Sequence, residues 1–396
     1  MFLSRFRVRG YKCLEDVDVA LTPIHVLIGP GDCGKTSLLE AVSAFYGRLK
    51  TPATQWFPAV TRGCELITHG SSVPTIDLAG QWSEMQPPGS PPLPAAGYGY
   101  SILVPASGTN FGIMSQWVRP RAGRDPRSGL ARTALAFPRG GGPAKAEDRA
   151  AQATFRDTVQ KMLQPAPVYR LDPRRLAEPA EIDPAHCGRM SADGRGLPEL
   201  LDEIGRRHPA RLAAIQAEFC RLAPQYRRLH LQAEASVLKK KSPRARRPDP
   251  DGLTARGLVF ETCSGGTLAA RDASPGSLLL LTMLALARLP EPPTMLLIEE
   301  PERGLYPLWL GAVIGLLKRA ASRPDGQPFS QVILSTHSPA VLNFFQPEEV
   351  TWLARPGNQP DGPVIARPLQ SMKKIREQVA DGKARLGELW GEFGES

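Results

Sequence analysis

The chain has 396 residues, 42% of them hydrophobic and 22% charged, an ordinary balance for a globular protein with room for a large core. No run of about 18 apolar residues occurs and the start, MFLSRFRVRGYKC, lacks an apolar stretch, so neither a membrane span nor a secretory signal is expected, and the expected location is cytoplasmic. Lys and Arg outnumber Asp and Glu by 49 to 39, a net +10 that favours a polyanion such as nucleic acid over a basic composition with no further meaning.

Six cysteines (Cys13, Cys33, Cys64, Cys187, Cys220, Cys263) stand far apart with no CxxC pair, which argues against a zinc site or a disulfide framework and for reduced thiols. In chain order, FLSRFRVRGY and DVDVALTPIHVLIG alternate as strands. A glycine-rich turn follows. TSLLEAVSAFYG then places Leu38, Leu39, Val42 and Phe45 at helical spacing. SSVPTIDLAGQW and YGYSILVP predict antiparallel strands. The Pro/Gly-rich stretches Gln86–Gly97 and Arg119–Gly142 predict surface loops or lids.

Helical patterns resume over 145–163 and 197–222. RRLHLQAE reads as a strand that leads into the basic linker KKKSPRARRP, Lys239 to Pro248. The last third predicts a helix at Ser277–Arg288, a buried strand at Thr294–Ile298, a helix near Pro307–Ala320 and a strand at Gln331–Ser335. No long heptad segment and no internal repeat is visible.

Three segments carry chemistry. Gly29-Pro-Gly31-Asp32-Cys33-Gly34-Lys35-Thr36, followed by Ser37, fits G-x-x-x-x-G-K-[ST] between a strand and a helix. Backbone N–H groups and the helix dipole converge on phosphate oxygens in such a turn; Lys35 would reach the β- and γ-phosphates and Thr36 would offer a hydroxyl to Mg²⁺. Thr294-Met-Leu-Leu-Ile-Glu299-Glu300-Pro301 is an apolar strand ending in paired carboxylates. Beside the phosphates, one acid would hold Mg²⁺ and the other polarise water; a solvated pair at a strand end is the alternative. Gln331-Val-Ile-Leu-Ser335-Thr336-His337-Ser338 ends a further strand in polar groups, with His337 at its tip.

In this order and over most of the chain, the P-loop, IEEPE and STHSP resemble the RecF/SMC/OLD branch of ABC ATPases, and specifically the stand-alone predicted ATPases of the OLD group. VYRLDPRRLAEPA, DGRGLPELLDEI and the final LGELWGEFG resemble that group as well. The resemblance implies an α/β P-loop fold of the ABC/SMC-head type: a mixed central sheet, an antiparallel N-terminal sub-sheet and a helical insert. The corresponding division is an N-terminal ATPase lobe (1–110), a helical and basic insert (111–255) and a C-terminal lobe (256–396).

By the same resemblance Ser274-Pro-Gly276-Ser277 stands where the ABC signature stands, to contact ATP bound by another subunit. Glu299 would be the Walker B acid, Glu300 the catalytic base, His337 the switch histidine and Glu302–Pro307 the D-loop region. Departures are Gly31 for Asn, Tyr306 for His and Ser277 for Thr; for the Q-loop only Gln81 offers itself.

The resemblance further implies ATP and Mg²⁺ as cofactors, ATP hydrolysis, and a homodimer or higher oligomer, since the chain has one P-loop and one signature. OLD nucleases resemble this head followed by a TOPRIM domain. Fewer than sixty residues follow His337 here, without D-x-D, so a separately encoded effector (often a nuclease) in phage defence or DNA repair is the expectation. The runs KKKSPRARRP and Arg119, Arg121, Arg124, Arg127, Arg132, Arg139 suggest double-stranded DNA as a partner, or are solvated loops. Against a DNA-sensing ATPase stands a nucleotide-gated scaffold that binds protein and turns over little.

Overall fold

The computed structural model describes residues 1–47, 63–68, 75–84, 93–104, 112–119, 163–182, 190–233, 254–322, 330–356 and 362–393. The basic runs at 120–142 and 239–248, and the helical pattern at 145–162, lie outside them. The strands are β1 (Phe2–Tyr11), β2 (Leu14–Ala20), β3 (Ile24–Ile28), β4 (Thr75–Glu84), β5 (Leu93–Leu103), β6 (Gly112–Arg119), β7 (Val168–Tyr169) and β8 (Ala180–Ile182). After them come β9 (Tyr226–Ala233), β10 (Thr254–Thr262), β11 (Thr267–Ala269), β12 (Met295–Glu299), β13 (Gln331–Ser335), β14 (Val350–Ala354) and β15 (Ile365–Pro368).

Two compact units result, and both are discontinuous in sequence. The first comprises Met1–Val168, Pro293–Glu299 and Phe329–Ser396; the second comprises Tyr169–Pro292 and Glu300–Pro328. Among the described residues no helix is long and apolar enough to cross a membrane.

The first unit begins with the hairpin β1–β2, closed by a two-residue turn in which Lys12 takes a positive φ of 49°. Alternation sets its faces. Phe6, Val8, Leu14, Val17 and Val19 are buried, while Arg5 pairs with Asp18 and Arg7 with Asp16 on the outer side. The hairpin joins a five-stranded antiparallel sheet in the order β2-β1-β4-β5-β6, the expected sub-sheet. Two details depart from expectation: β5 starts at Leu93, inside the Pro/Gly-rich stretch read as a loop, and β6 ends at Arg119, where a second loop was to begin. Backbone pairing with β4 and β5 overrides the turn-like composition of both segments.

The second sheet of this unit has the order β15-β14-β3-β13-β12-β7. β14, β3, β13 and β12 run parallel, with β15 antiparallel at the edge. Their near-continuous apolar sequences match strands covered on both faces. The helix Lys35–Gly47 packs Phe45 among Phe6, Trp82, Tyr98 and Tyr100, with ring centroids 5.4–5.9 Å away. Buried Gln331 ties β13 to β1: its amide oxygen accepts from Leu3 N–H at 2.8 Å, and its NH₂ donates to Leu3 O at 2.8 Å and Thr22 O at 3.0 Å.

His25 lies fully buried on β3, its ring nitrogens 3.1 Å from the Thr22 hydroxyl and 2.9 Å from that of Thr351. Burial pushes its pKa down from 6.5 to about 3. The neutral ring is therefore the folded form. Its contribution to stability is complete above pH 6.5 and is lost as pH falls from 6.5 towards 3, at up to about 1.4 kcal/mol per pH unit. Urea unfolding between pH 7 and pH 4 should show that slope reduced by about this amount in His25→Gln; an unchanged slope would assign the acid sensitivity to other groups.

In the second unit β10 pairs antiparallel with β8, β9 and β11. Phe219, Tyr226 and Phe260 stack at its centre at 5.0–5.6 Å. The pattern over 197–222 folds as two helices, Leu197–Arg207 and Pro209–Leu222, because the residue before Pro209 is driven out of the helical region: His208 takes φ −139°, ψ 63°. The helix Pro275–Leu286 is apolar all round and buried from Ser277 onward. Its first residue is proline and its N-cap is Ser274, whose hydroxyl accepts from Ser277 N–H at 3.2 Å.

Candidate functional site

The carboxyl ends of β3, β13 and β12 lie side by side in the first unit. A sheet edge of this kind is where α/β folds place ligands. Gly29 to Thr36 leave β3 there and turn into the helix Lys35–Gly47. The turn needs its glycines. Gly29 has φ 145°, and a Cβ on it would lie 2.0 Å from Leu353 O; Gly34 has φ 89°, and a Cβ would lie 2.9 Å from Cys13 Sγ. Asp32 also takes a positive φ, 56°, which Asp tolerates, and a Cβ on Gly31 would meet no atom within 4 Å.

Lys35 is buried. Its ammonium donates to Gly29 O at 2.9 Å and Pro30 O at 2.7 Å, so the charge rests on carbonyl dipoles at the mouth of the loop. Cys33 lies beside it, 3.6 Å from Lys35 Nζ; burial pushes the thiol pKa up, against the pull of the Lys35 charge. The Thr36 hydroxyl donates to the Glu299 carboxylate at the end of β12, and Ser37 accepts from the Cys13 thiol at 3.7 Å. Cys13, Cys33, Cys220 and Cys263 are free thiols.

β13 runs between the P-loop strand and the acid strand, so the strand bearing Glu299 is not the direct neighbour of β3. Glu299 aligns with Ser335, and His337 follows two residues beyond, exposed at the same edge. Thr336 N–H donates to Leu27 O at 3.1 Å, which fastens the histidine loop to the P-loop strand. P-loop, Glu299 and His337 are thus brought together, as the sequence suggested. The sequence showed no sign of Leu353, whose carbonyl abuts Gly29 from β14, because that contact joins residues remote in the chain.

Glu300 opens the second unit, in a left-handed conformation with φ 46°. Its carboxylate lies 3.6 Å from the guanidinium of Arg303, which is itself highly exposed. In the same unit the Ser274–Ser277 turn meets the segment after Glu300: a Cβ on Gly276 would lie 3.0 Å from Gly304 O. Ser274 is exposed, whereas Ser277 is fully buried with its hydroxyl 2.7 Å from that of Ser274. A cavity of about 550 Å³ beside this turn is lined by Leu222, Gln225, Ser274, Gly276, Tyr306 and Trp309. Gln81 lies in β4, where its carbonyl accepts from the Ser4 hydroxyl at 3.0 Å.

The residues present fit a magnesium nucleotide. Thr36 and Glu299 offer two hard oxygen donors at one point, Gly31 and Asp32 of the loop are exposed, and Lys35 follows in the same turn. Among the described residues no group of three or more His, Cys, Asp or Glu side chains could hold a metal without such phosphate oxygens.

A family model described as "AAA ATPase domain" matches residues 1–76, and one described as "AAA domain, putative AbiEii toxin, Type IV TA system" matches residues 198–343. The OLD nuclease of Thermus scotoductus is 40% identical over 45 residues, which are 11% of this chain and 8% of the nuclease. Thus the chain spans less than a tenth of that relative. Among solved structures, the Smc head bound to the C-winged helix domain of ScpA is 13% identical, with 94% of this chain and all of the other covered and a TM-score of 0.57. The Smc head with an extended coiled coil from Pyrococcus furiosus, bound to the C-terminal domain of ScpA, is 11% identical, with 96% and 99% covered and a TM-score of 0.55. At such identities the likeness concerns fold, and it bears out the ABC/SMC-head architecture expected from the motifs. The chain is thus similar to ATPase-domain proteins over two stretches and to an OLD nuclease over a short one, and its fold is that of an ABC/SMC-type head.

Proposed function

We propose that this chain binds ATP with Mg²⁺, hydrolyses it to ADP and phosphate as a dimer closed over the nucleotide, and couples that cycle to a DNA-acting effector. The observation that carries the proposal is the hydrogen bond from Thr36 to Glu299, directly after Lys35 and at the sheet edge that also bears His337. Bound there, Mg·ATP supplies the phosphoanhydride to be broken and a metal charge that offsets charge on its β- and γ-phosphates.

The chain's own groups would divide the work as follows. The backbone of Gly29, Gly31, Asp32, Cys33 and Gly34, with Ser37 at the helix start, cradles phosphate; Lys35 neutralises it; Thr36 and Glu299 hold the metal. Glu300 takes the proton of the attacking water and His337 supports the γ-phosphate. Ser274 and Gly276, exposed or half-exposed at a helix N-terminus, present the second copy's contribution. Ser277 joins them through the hydrogen bond between its hydroxyl and that of Ser274.

The effector reading rests on the resemblance to OLD proteins, and the DNA reading on the basic runs. We place the chain in phage defence ahead of repair. Turnover measured with and without duplex DNA tests the proposal: duplex should stimulate hydrolysis, and neutralising Lys239–Lys241, Arg244, Arg246 and Arg247 should remove the stimulation and flatten its salt dependence. ATP-dependent oligomers that ignore DNA and turn over negligibly would favour the scaffold instead.

A further inference from the structure

We propose that the C-terminal turn Leu386–Phe393 is a latch that positions His337, with Gly387 and Asn343 as its positioning residues. The role assigned to His337 rests on the functional reading above; the latch itself rests on packing within the first unit.

His337 sits on a short bridge with two anchored ends. At one end Thr336 is fully buried, its N–H bonded to Leu27 O at 3.1 Å and its hydroxyl accepting from Ser338 N–H at 2.9 Å. At the other end the chain enters the four-residue helix Pro339–Leu342, whose Val341 and Leu342 are buried. Four residues make a poor helix alone, so its position depends on what it packs against.

The tail supplies that support. Gly387 N–H donates to Asn343 Oδ1 at 3.0 Å. A Cβ on Gly387 would lie 2.1 Å from Pro339 O and 2.6 Å from Asn343 Oδ1. The φ of Gly387 is not positive, so glycine is required there for space and not for backbone conformation. Any larger residue must displace the tail or the backbone of Pro339, two positions from His337.

The tail cannot yield freely. Leu386, Leu389 and Phe393 are buried, and Trp352 of β14 contacts the rings of Trp390 at 6.1 Å and Phe393 at 5.6 Å. The residue after Trp352 is Leu353, whose carbonyl abuts Gly29. One turn therefore braces both the histidine loop and the strand against which the P-loop closes.

The test uses the full chain. In nucleotide-free protein, the imidazole resonance of His337, assigned by its absence from His337→Gln, should move in Gly387→Ala and in Asn343→Ala. Asn343→Asp retains an acceptor oxygen and should stay close to wild type. In turnover assays Gly387→Ala should lower kcat about tenfold with KM changed less than about threefold, and should add no further loss in a His337→Gln background.

If Gly387→Ala does not fold by circular dichroism, Asn343→Ala decides. An unmoved His337 resonance in the folded variants, or a full additional loss of kcat in the His337→Gln background, overturns the latch. Wild-type protein that binds ATP without turnover would overturn the catalytic reading instead, and the resonance would still report on the latch.

Discussion

Glu300→Gln is expected to lower steady-state ATP hydrolysis by about 10²- to 10⁴-fold, the range associated with loss of a general base, while leaving ATP affinity nearly unchanged. The amide keeps the shape of the side chain but cannot accept the proton of water. Glu300 is suited to this role by its place: it follows directly on Glu299, which bonds Thr36, and its backbone is held left-handed at φ 46°. A non-glycine residue in that region carries a strain the surrounding fold must maintain, a feature associated with functional sites. The result to set against this is Glu299→Gln, which should weaken Mg²⁺-dependent binding as well as turnover, because Glu299 bonds the Thr36 hydroxyl proposed to hold the metal. Equal turnover in Glu300→Gln and wild type would remove Glu300 from the chemistry.

Lys35→Ala should cost about 2–5 kcal/mol of nucleotide binding, a weakening of roughly 30- to 5000-fold, the cost of removing one partner from a desolvated charged contact. Titration with a fluorescent ATP analogue measures it. The ammonium already sits within the loop, on the carbonyls of Gly29 and Pro30, so little reorganisation is needed to meet phosphate. Unaltered affinity would mean that the nucleotide binds elsewhere on the chain.

The parts of the site legible in the sequence were those in which local chemistry and local geometry coincide. Gly29, Gly34, Lys35 and Thr36 announce a strand, a turn and a helix within one short stretch, and the structure folds them so. The apolar runs before Glu299 and Ser335 announced two buried strands, and their tips lie together. Strand order was not legible, because nothing in either run says that β13 enters between β3 and β12.

β6, β14 and β15 went unread for a similar reason: cross-strand pairing decides them. The two compact units were hidden because both are discontinuous; Glu299 and Glu300 are neighbours in sequence and belong to different units. Leu197–Leu222 read as one helical pattern because the apolar spacing runs across the break, although Pro209 marks it. At the Ser274–Ser277 turn, sequence offered the two serines as equals, whereas the helix buries the second and exposes the first.

Nucleotide-driven pairing of two heads is tested most directly by the molar mass of Glu300→Gln in solution. With saturating ATP and Mg²⁺ the mass should double from 43.0 kDa, and with ADP it should return to that of one chain. A mass of 43.0 kDa at saturating ATP, in protein shown to bind the nucleotide, would contradict it.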